Sequence, residues 1–288
     1  MSTDSFAGRA LTDRFSRDIW SRFRKGVKEY ELIREGDRIA VCISGGKDSM
    51  LMAECLQMLS QLPDMHFELR YIVMDPGYRP DIRQRIVDNA HELGLPIQIY
   101  ETRIFESAER EEKHPCFLCA RLRRGWLYKK AKELGCNKIA LGHHFDDVVE
   151  TILMGMLYGS QMQTMMPKLH SENYCGMQLI RPLYLVRESS IIDWAEYCGL
   201  EFVQCACRIT EREADGHGSK RSEIKALLRQ LREVNPSVDM NIFRSVENVN
   251  LQTLISYHIG NERHHFLDSY DEGLSIRGTK NPDSLTES

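Results

Sequence analysis

The chain has 288 residues, 42% of them hydrophobic and 28% charged, with a formal net charge of −4. Those proportions suit a soluble globular protein, and the acidic balance excludes a strongly basic nucleic-acid binder, leaving any RNA contact to local patches. Nine cysteines, an odd number, argue against a secreted disulfide framework and for a reducing cytoplasm, while no apolar run spans a bilayer and the charge-rich stretch Met1 to Lys25 does not read as a secretory leader.

Residues 11–28 carry Phe15, Ile19, Phe23 and Val27 at near-helical spacing, which predicts a helical N-terminal segment over residues 1–35. Strands are predicted over residues 38–43, 68–74, 97–100 and 138–141, with a short fifth over 179–181. Helices are predicted over 50–62, 80–93, 118–134, 146–158 and 189–198. Gly94 and Gly135 sit where helix C-caps belong. This alternation predicts an α/β fold, a doubly wound and mostly parallel sheet, over residues 36–235. Residues 236–288 form a C-terminal extension whose polar end, from about residue 268, reads as a flexible tail. Ligands of such sheets bind beyond the carboxyl ends of the strands.

The first predicted strand runs into Ser44-Gly45-Gly46-Lys47-Asp48-Ser49 and then directly into a helix. A helix start presents free backbone N–H groups and the positive end of its dipole, and paired glycines let an anion come close to the backbone. The turn therefore suits phosphate. The spacing is not that of a Walker A loop, and no G-x-G-x-x-G is present here. An ordinary strand-to-helix turn would use the same residue types. The hexapeptide resembles the signature of the PP-loop ATP pyrophosphatases, which cleave ATP between its α and β phosphates and leave AMP on the substrate. The resemblance implies that Ser44, Gly45, Gly46, Lys47, Asp48 and Ser49 bind ATP and Mg²⁺, with Lys47 and Asp48 catalytic.

At the end of the fourth predicted strand stands Gly142-His143-His144-Phe145-Asp146-Asp147-Val148-Val149-Glu150-Thr151. Carboxylates there would hold Mg²⁺ against phosphate oxygens, or cap the helix that follows. Asp147 is the expected Mg²⁺ ligand, with Asp146 as the alternative, and Gly142 joins the nucleotide site. The segment is similar to the tRNA-modifying branch of the same family.

Cys116 and Cys119 form a C-x2-C pair, and Cys205-Ala206-Cys207 follows far downstream. Three or four thiolates suit zinc or an iron–sulfur cluster. The other five cysteines, Cys42, Cys55, Cys136, Cys175 and Cys198, read as packing residues. The run Cys116-Phe117-Leu118-Cys119-Ala120-Arg121-Leu122-Arg123-Arg124-Gly125 closely resembles the tRNA 2-thiocytidine synthetases, and the similarity extends from about Phe23 to Leu231 through Arg181-Pro182-Leu183. That family holds a [4Fe-4S] cluster on three cysteines, adenylates a cytidine carbonyl in the anticodon loop and replaces the oxygen by sulfur. The resemblance implies Cys116, Cys119 and Cys205 as cluster ligands; the family's second site reads Pro-Cys-x-x-Cys, so Cys207 competes with Cys205. It also implies tRNA as substrate, a sulfur donor such as a cysteine desulfurase, and a homodimer.

Three basic stretches would serve the RNA: Arg14 to Lys28; Arg121, Arg123, Arg124, Lys129 and Lys130 with Trp126 and Tyr128; and Lys220, Arg221, Lys225, Arg229 and Arg232. Basic helices bind phosphate backbones and aromatics stack on unpaired bases, although each stretch would equally be a solvated face paired with acids. The alternatives to tRNA thiolation are a lysidine-type adenylating ligase, thiolation of a small molecule, and a redox sensor that keeps a nucleotide-binding fold.

Overall fold

Along β1 (Arg38–Ile43), Ile39, Val41 and Ile43 alternate with Ala40 and Cys42, and both sets are buried, in two different apolar clusters. A strand buried on both faces belongs at the centre of a covered parallel sheet. The computed structural model describes residues 5–109, 115–202 and 219–270, which fall into two compact units, Met1–Asp239 and Met240–Ser288.

In the larger unit, α1 (Phe6–Thr12), a π-turn (Ser16–Trp20) and α2 (Ser21–Glu29) precede β1. Then come α3 (Lys47–Ser60), β2 (Glu68–Asp75), α4 (Pro80–Glu92), β3 (Ile97–Glu101), α5 (Ile104–Glu109) and α6 (Pro115–Glu133). They are followed by β4 (Lys138–Ala140), α7 (Phe145–Gly159), β5 (Lys168–His170), β6 (Gln178–Ile180), α8 (Glu188–Tyr197) and α9 (Lys220–Val234). The sheet order is β3-β2-β1-β4-β6-β5, parallel throughout except for the antiparallel edge strand β5. Strand β5 was not expected; its Lys-Leu-His offers a single apolar residue. Helix α10 (Val238–Ser245) runs across the unit boundary, and in the smaller unit β7 (Ser256–Ile259) and β8 (Glu262–His265) form a hairpin. The expected flexible tail lies outside the described residues from 271 onward.

Gly94 and Gly135 adopt φ of +63° and +71° after α4 and α6, the left-handed conformation that ends a helix at glycine. The N-terminal segment is not one continuous helix. Phe15 accepts from the amides of Ile19 and Trp20 at 2.9 and 3.2 Å. The wider π-turn adds a residue to the coil and keeps Phe15, Ile19, Phe23 and Val27 buried in the main core. Met50, Leu51, Met52, Ala53, Cys55 and Leu56 are all fully buried. Helix α3 is therefore a central helix, apolar on every side. Among the described residues no helix is long and apolar enough to cross a membrane.

One carboxylate interrupts this apolar helix. Glu54 is fully buried and accepts a 2.6 Å hydrogen bond from Ser5, the residue that caps α1. Burial raises its carboxyl from 4.5 to about 7, against the opposing pull of Ser5. The folded chain thus keeps a proton that the unfolded chain loses near pH 4.5. The associated stability is complete below that pH and is lost as pH rises through about 7. Glu54→Gln should therefore raise stability at pH 8 by about 1–3 kcal/mol and leave it nearly unchanged at pH 4.5. Denaturant melts at the two pH values check this, and an equal effect at both would contradict it.

Candidate functional site

Parallel strands deliver their following loops to one rim, and the glycine turn is the first of them. Gly45 has φ +86°, and a Cβ there would stand 2.6 Å from Cγ1 of Ile86 on α4. Gly46 caps α3 with no side-chain hydrogen bond, so the first amides of the helix face the rim. Ser49 Oγ accepts from the Ser44 amide at 3.1 Å and donates to Gly46 O at 2.9 Å. The two serines brace the turn from within.

The second strand end lies directly on this turn. A Cβ on Gly142 would stand 3.0 Å from the backbone of Asp48 and Ser49. The loop after it is fixed by hydrogen bonds of 3.0 Å from Leu141 N to Ile180 O and 2.9 Å from Phe145 N to Val186 O. The backbone amide of His144 donates to Asp147 Oδ2 at 3.1 Å at the start of α7. Its Nε2 lies 3.5 Å from that carboxylate and 3.8 Å from Asp48 Oδ1. Asp48 and Asp147 thus flank one imidazole. Asp146 turns elsewhere, accepting from the Glu188 amide at 2.7 Å and from Arg232 at 2.9 Å. Asp147, which also meets Arg221 at 3.3 Å, lines the cavity beside the glycine turn, and Asp146 does not.

Between the two strand ends opens a cavity of about 380 Å³, of a size that takes a small organic ligand. Its walls are apolar at Ile43, Met74, Leu127, Ile139 and Leu141 and polar at Asp48, His143, Asp147, Arg123 and Arg124. Buried Nδ1 of His143 has no hydrogen-bond partner among the described residues. Burial, then the Arg181 guanidinium, lowers His143 to about 4, which leaves a neutral acceptor at neutral pH. Arg181 is itself lowered to about 10 by burial. A glycine cradle, exposed helix amides and two carboxylates fit an ATP phosphate chain with Mg²⁺, an ion that needs only one or two carboxylates beside phosphate oxygens. Among the described residues no group of three or more His, Cys, Asp or Glu forms a self-sufficient metal cage.

Lys47 Nζ lies 3.1 Å from Asp48 Oδ1 and 3.2 Å from Glu188 Oε1. Burial opposes its charge, but Asp48 and Glu188 outweigh that and hold its pKa above the ordinary value. Burial likewise opposes the charge of Glu188, yet Lys225, Lys47 and His144 bring it down to about 2. Lysine and carboxylate are both charged across the neutral range.

Helix α6 carries Cys116 and Cys119 on its first turn and then lines the cavity with Ala120, Arg123, Arg124 and Leu127. Cys119 is buried with Met74, Ile104 and Ala108, and Met74 also forms cavity wall. Cys119, buried next to the cavity wall, with Cys116 three residues before it on the same helix, is a donor type that fits a soft metal or an iron–sulfur cluster. Cys205 and Cys207 lie outside the described residues. Of the remaining cysteines, Cys42, Cys55 and Cys136 are buried, and burial raises Cys42 to about 12, which keeps it an inert thiol. Cys175 is exposed and is not a packing residue.

The basic stretches divide. Arg123 and Arg124 face the cavity, whereas Arg221, Lys225 and Arg232 pair with Glu150, Glu188 and Asp146 at 2.7, 3.1 and 2.9 Å. Three of the five cations of the third stretch are therefore engaged by acids of α7 and α8. Sequence reasoning missed His143, Glu188, Arg221 and Lys225 as members of the site; for His143, the position next to Gly142 at a strand end was the available signal.

Residues 16–212 match the PP-loop domain family ATP_bind_3. The chain is 38% identical over 229 residues to the tRNA-cytidine(32) 2-sulfurtransferase of Alkalilimnicola ehrlichii, covering 77% of this chain and 70% of that one. It is also 38% identical over 252 residues to the protein of the same description from Syntrophotalea carbinolica, covering 85% and 94%. Among solved structures, the U34-tRNA thiolase NcsA from Methanococcus maripaludis with its [4Fe-4S] cluster shares the fold, at TM-score 0.62 and 23% identity over 89% of this chain and 88% of that one.

The contact at Gly142 gives a direct test. Gly142→Ala forces a methyl group against the α3 backbone, at a cost of about 1–3 kcal/mol. The expected result is ATP affinity reduced about tenfold or more, read by nucleotide titration, with the far-UV spectrum of the wild type. Unchanged affinity would show that the two strand ends need not touch.

Proposed function

The chain belongs to the PP-loop family together with the tRNA-cytidine(32) 2-sulfurtransferases, and from that premise we propose that it thiolates a cytidine of tRNA at the expense of ATP, forming AMP and pyrophosphate. The observation that carries this reading is the double use of α6: its first turn bears Cys116 and Cys119, and its next turns wall the cavity beside the glycine turn.

The chemistry explains why both are needed. A pyrimidine carbonyl is a weak electrophile with a poor leaving oxygen. Attack of cytidine O2 on the α-phosphorus of ATP forms an O–P bond and breaks the bond to the β-phosphate oxygen, releasing pyrophosphate. A sulfur nucleophile then adds at C2, and the oxygen departs with AMP. Amides at the start of α3 and the Lys47 ammonium stabilise the charge that develops on the phosphates. Gly45 and Gly46 admit the phosphates, Asp48 and Asp147 hold Mg²⁺, and Gly142 keeps the two loops in register. Arg123 and Arg124 reach the cavity from the cysteine side, where the base must enter.

Cys116, Cys119 and Cys205 would hold a [4Fe-4S] cluster, which would supply a soft-metal site for the incoming sulfur. The resemblance also implies a cytoplasmic sulfur donor of the cysteine desulfurase kind, together with a two-electron reductant that brings its sulfur to the sulfide level, and a homodimer. These last features rest on the family resemblance.

The two halves of the site separate by mutation. Asp48→Ala should keep about four irons per chain and lose pyrophosphate release. Cys116→Ala and Cys119→Ser should bring iron below about one per chain and abolish thiolation while ATP still binds. Iron and sulfide assays on anaerobically purified protein, with a pyrophosphate assay, read both. Full turnover in Asp48→Ala would remove the phosphate assignment, and unchanged iron in the cysteine variants would remove the cluster ligands.

A further inference from the structure

Phe117, on the first turn of α6, is the most exposed aromatic side chain among the described residues, at 71%. A single apolar residue in solvent is ordinary by itself, but this ring differs from the others at the surface. Phe6 stacks on Tyr197, Tyr158 meets the Lys220 ammonium, and Phe266 meets Tyr270. Among the described residues the Phe117 ring touches no other ring and no cation.

The same helix supplies a second observation. Arg121 and Arg124 follow Phe117 at four and seven residues, the spacing that aligns side chains along one face of a helix. Both arginines are exposed, and neither pairs with a carboxylate among the described residues. On α9, by contrast, Arg221, Lys225 and Arg232 are held by Glu150, Glu188 and Asp146. The stripe on α6 keeps its charge available to an outside anion.

The stripe also leads somewhere. Arg124 lines the cavity between the strand ends, together with Ala120 and Arg123. A helix rise of about 1.5 Å per residue places Phe117 and Arg124 about 10 Å apart along the axis, a length on the scale of neighbouring nucleotides. Planar guanidiniums suit phosphates, and a flat ring open to solvent suits an unpaired base. An acidic peptide would need an apolar pocket for its side chains, whereas Phe117 stands out from a helix surface with arginine beside it.

We propose that Phe117, Arg121 and Arg124 form the landing surface for the single-stranded loop of the tRNA. Arg121 and Arg124 hold its phosphates, an unpaired base beside the target stacks on Phe117, and Arg124 marks where the strand turns the target base into the cavity. This rests on the tRNA-thiolating reading given above.

The test is fluorescence anisotropy of labelled, unmodified tRNA with the anaerobically reconstituted full-length protein, alongside iron content, ATP affinity and the KM for tRNA in thiolation. Phe117→Ala should weaken tRNA about tenfold, and Phe117→Leu should do the same, while Phe117→Trp keeps the wild-type affinity. That contrast separates a flat stacking surface from an apolar filler. Arg121→Ala and Arg124→Ala should each weaken tRNA and reduce the slope of log K against log salt by about 0.7. The Phe117 and Arg121 variants should bind ATP as the wild type does, and raise the KM for tRNA more than they lower kcat. Unchanged tRNA affinity in Phe117→Ala and Arg121→Ala would overturn the surface, as would wild-type affinity in Phe117→Leu. Competition by polyglutamate at equal charge would make the stripe a site for acidic protein segments and would overturn it too. If Phe117→Ala or Phe117→Leu loses iron, Phe117→Trp and the arginine variants decide at full iron content. If tRNA binds through these residues but no thiolated nucleoside forms, the activity reading fails while the surface stands. If the wild type thiolates tRNA and every variant does so with unchanged KM, the surface fails while that reading stands.

Discussion

The site depends on a contact that leaves no room for a side chain. The exit of β4 at Gly142 crosses the first turn of α3 at a distance where even a methyl group would press on the backbone of Asp48 and Ser49. That crossing brings together two loops from adjacent parallel strands, β1 and β4. It brings Asp48 and Asp147 together at Nε2 of the His144 imidazole and closes one side of the cavity. Gly45 meets the same kind of constraint against Ile86. The rim is thus defined by backbone geometry, and its side chains occupy positions that the geometry has already set.

Charge is arranged around this frame as a chain of alternating partners. Asp48, Lys47, Glu188, Lys225, Glu150, Arg221 and Asp147 follow one another in ion-pair contacts of 2.7 to 3.6 Å. Partly buried pairs of this kind contribute little net stability, because desolvation offsets attraction, but losing one partner is costly. Their value lies in holding charged groups in position without further reorganisation when a phosphate arrives. The same chain ties α3, α7, α8 and α9 together around the glycine turn. The cysteine turn of α6 approaches from the opposite face of the sheet, where Tyr128 and Ala131 of that helix pack on Ala40, Cys42 and Ile139.

Much of this was legible in the sequence because it depends on local chemistry. The paired glycines between an apolar strand and a helix, the acids after the fourth strand, and the C-caps at Gly94 and Gly135 all lie where local rules put them. What was not legible depends on direction across the fold. The four-residue spacing of Arg221, Lys225 and Arg229 reveals a basic stripe but not that it faces Glu150 and Glu188, more than thirty residues away in sequence. Asp146 and Asp147 are adjacent and chemically alike; their surroundings part because one meets Arg232 and the Glu188 amide while the other lines the cavity. Strand β5 pairs through its backbone and carries one apolar residue, so no hydrophobic period announces it. The π-turn at Ser16–Trp20 escapes for a related reason: Phe15, Ile19 and Phe23 keep a helical spacing whether the coil is regular or widened.

In the proposed function adenylation and thiolation are two steps at one rim, with AMP released once for each oxygen replaced. The most direct measurement is the ratio of AMP to thiolated cytidine formed by anaerobically reconstituted protein with unmodified tRNA, Mg-ATP and a sulfide source. A ratio near one, with no thiolated nucleoside when ATP is omitted, is the predicted result. Thiolated nucleoside formed without AMP, or AMP formed with no sulfur entering the tRNA, would contradict the coupling of the two steps.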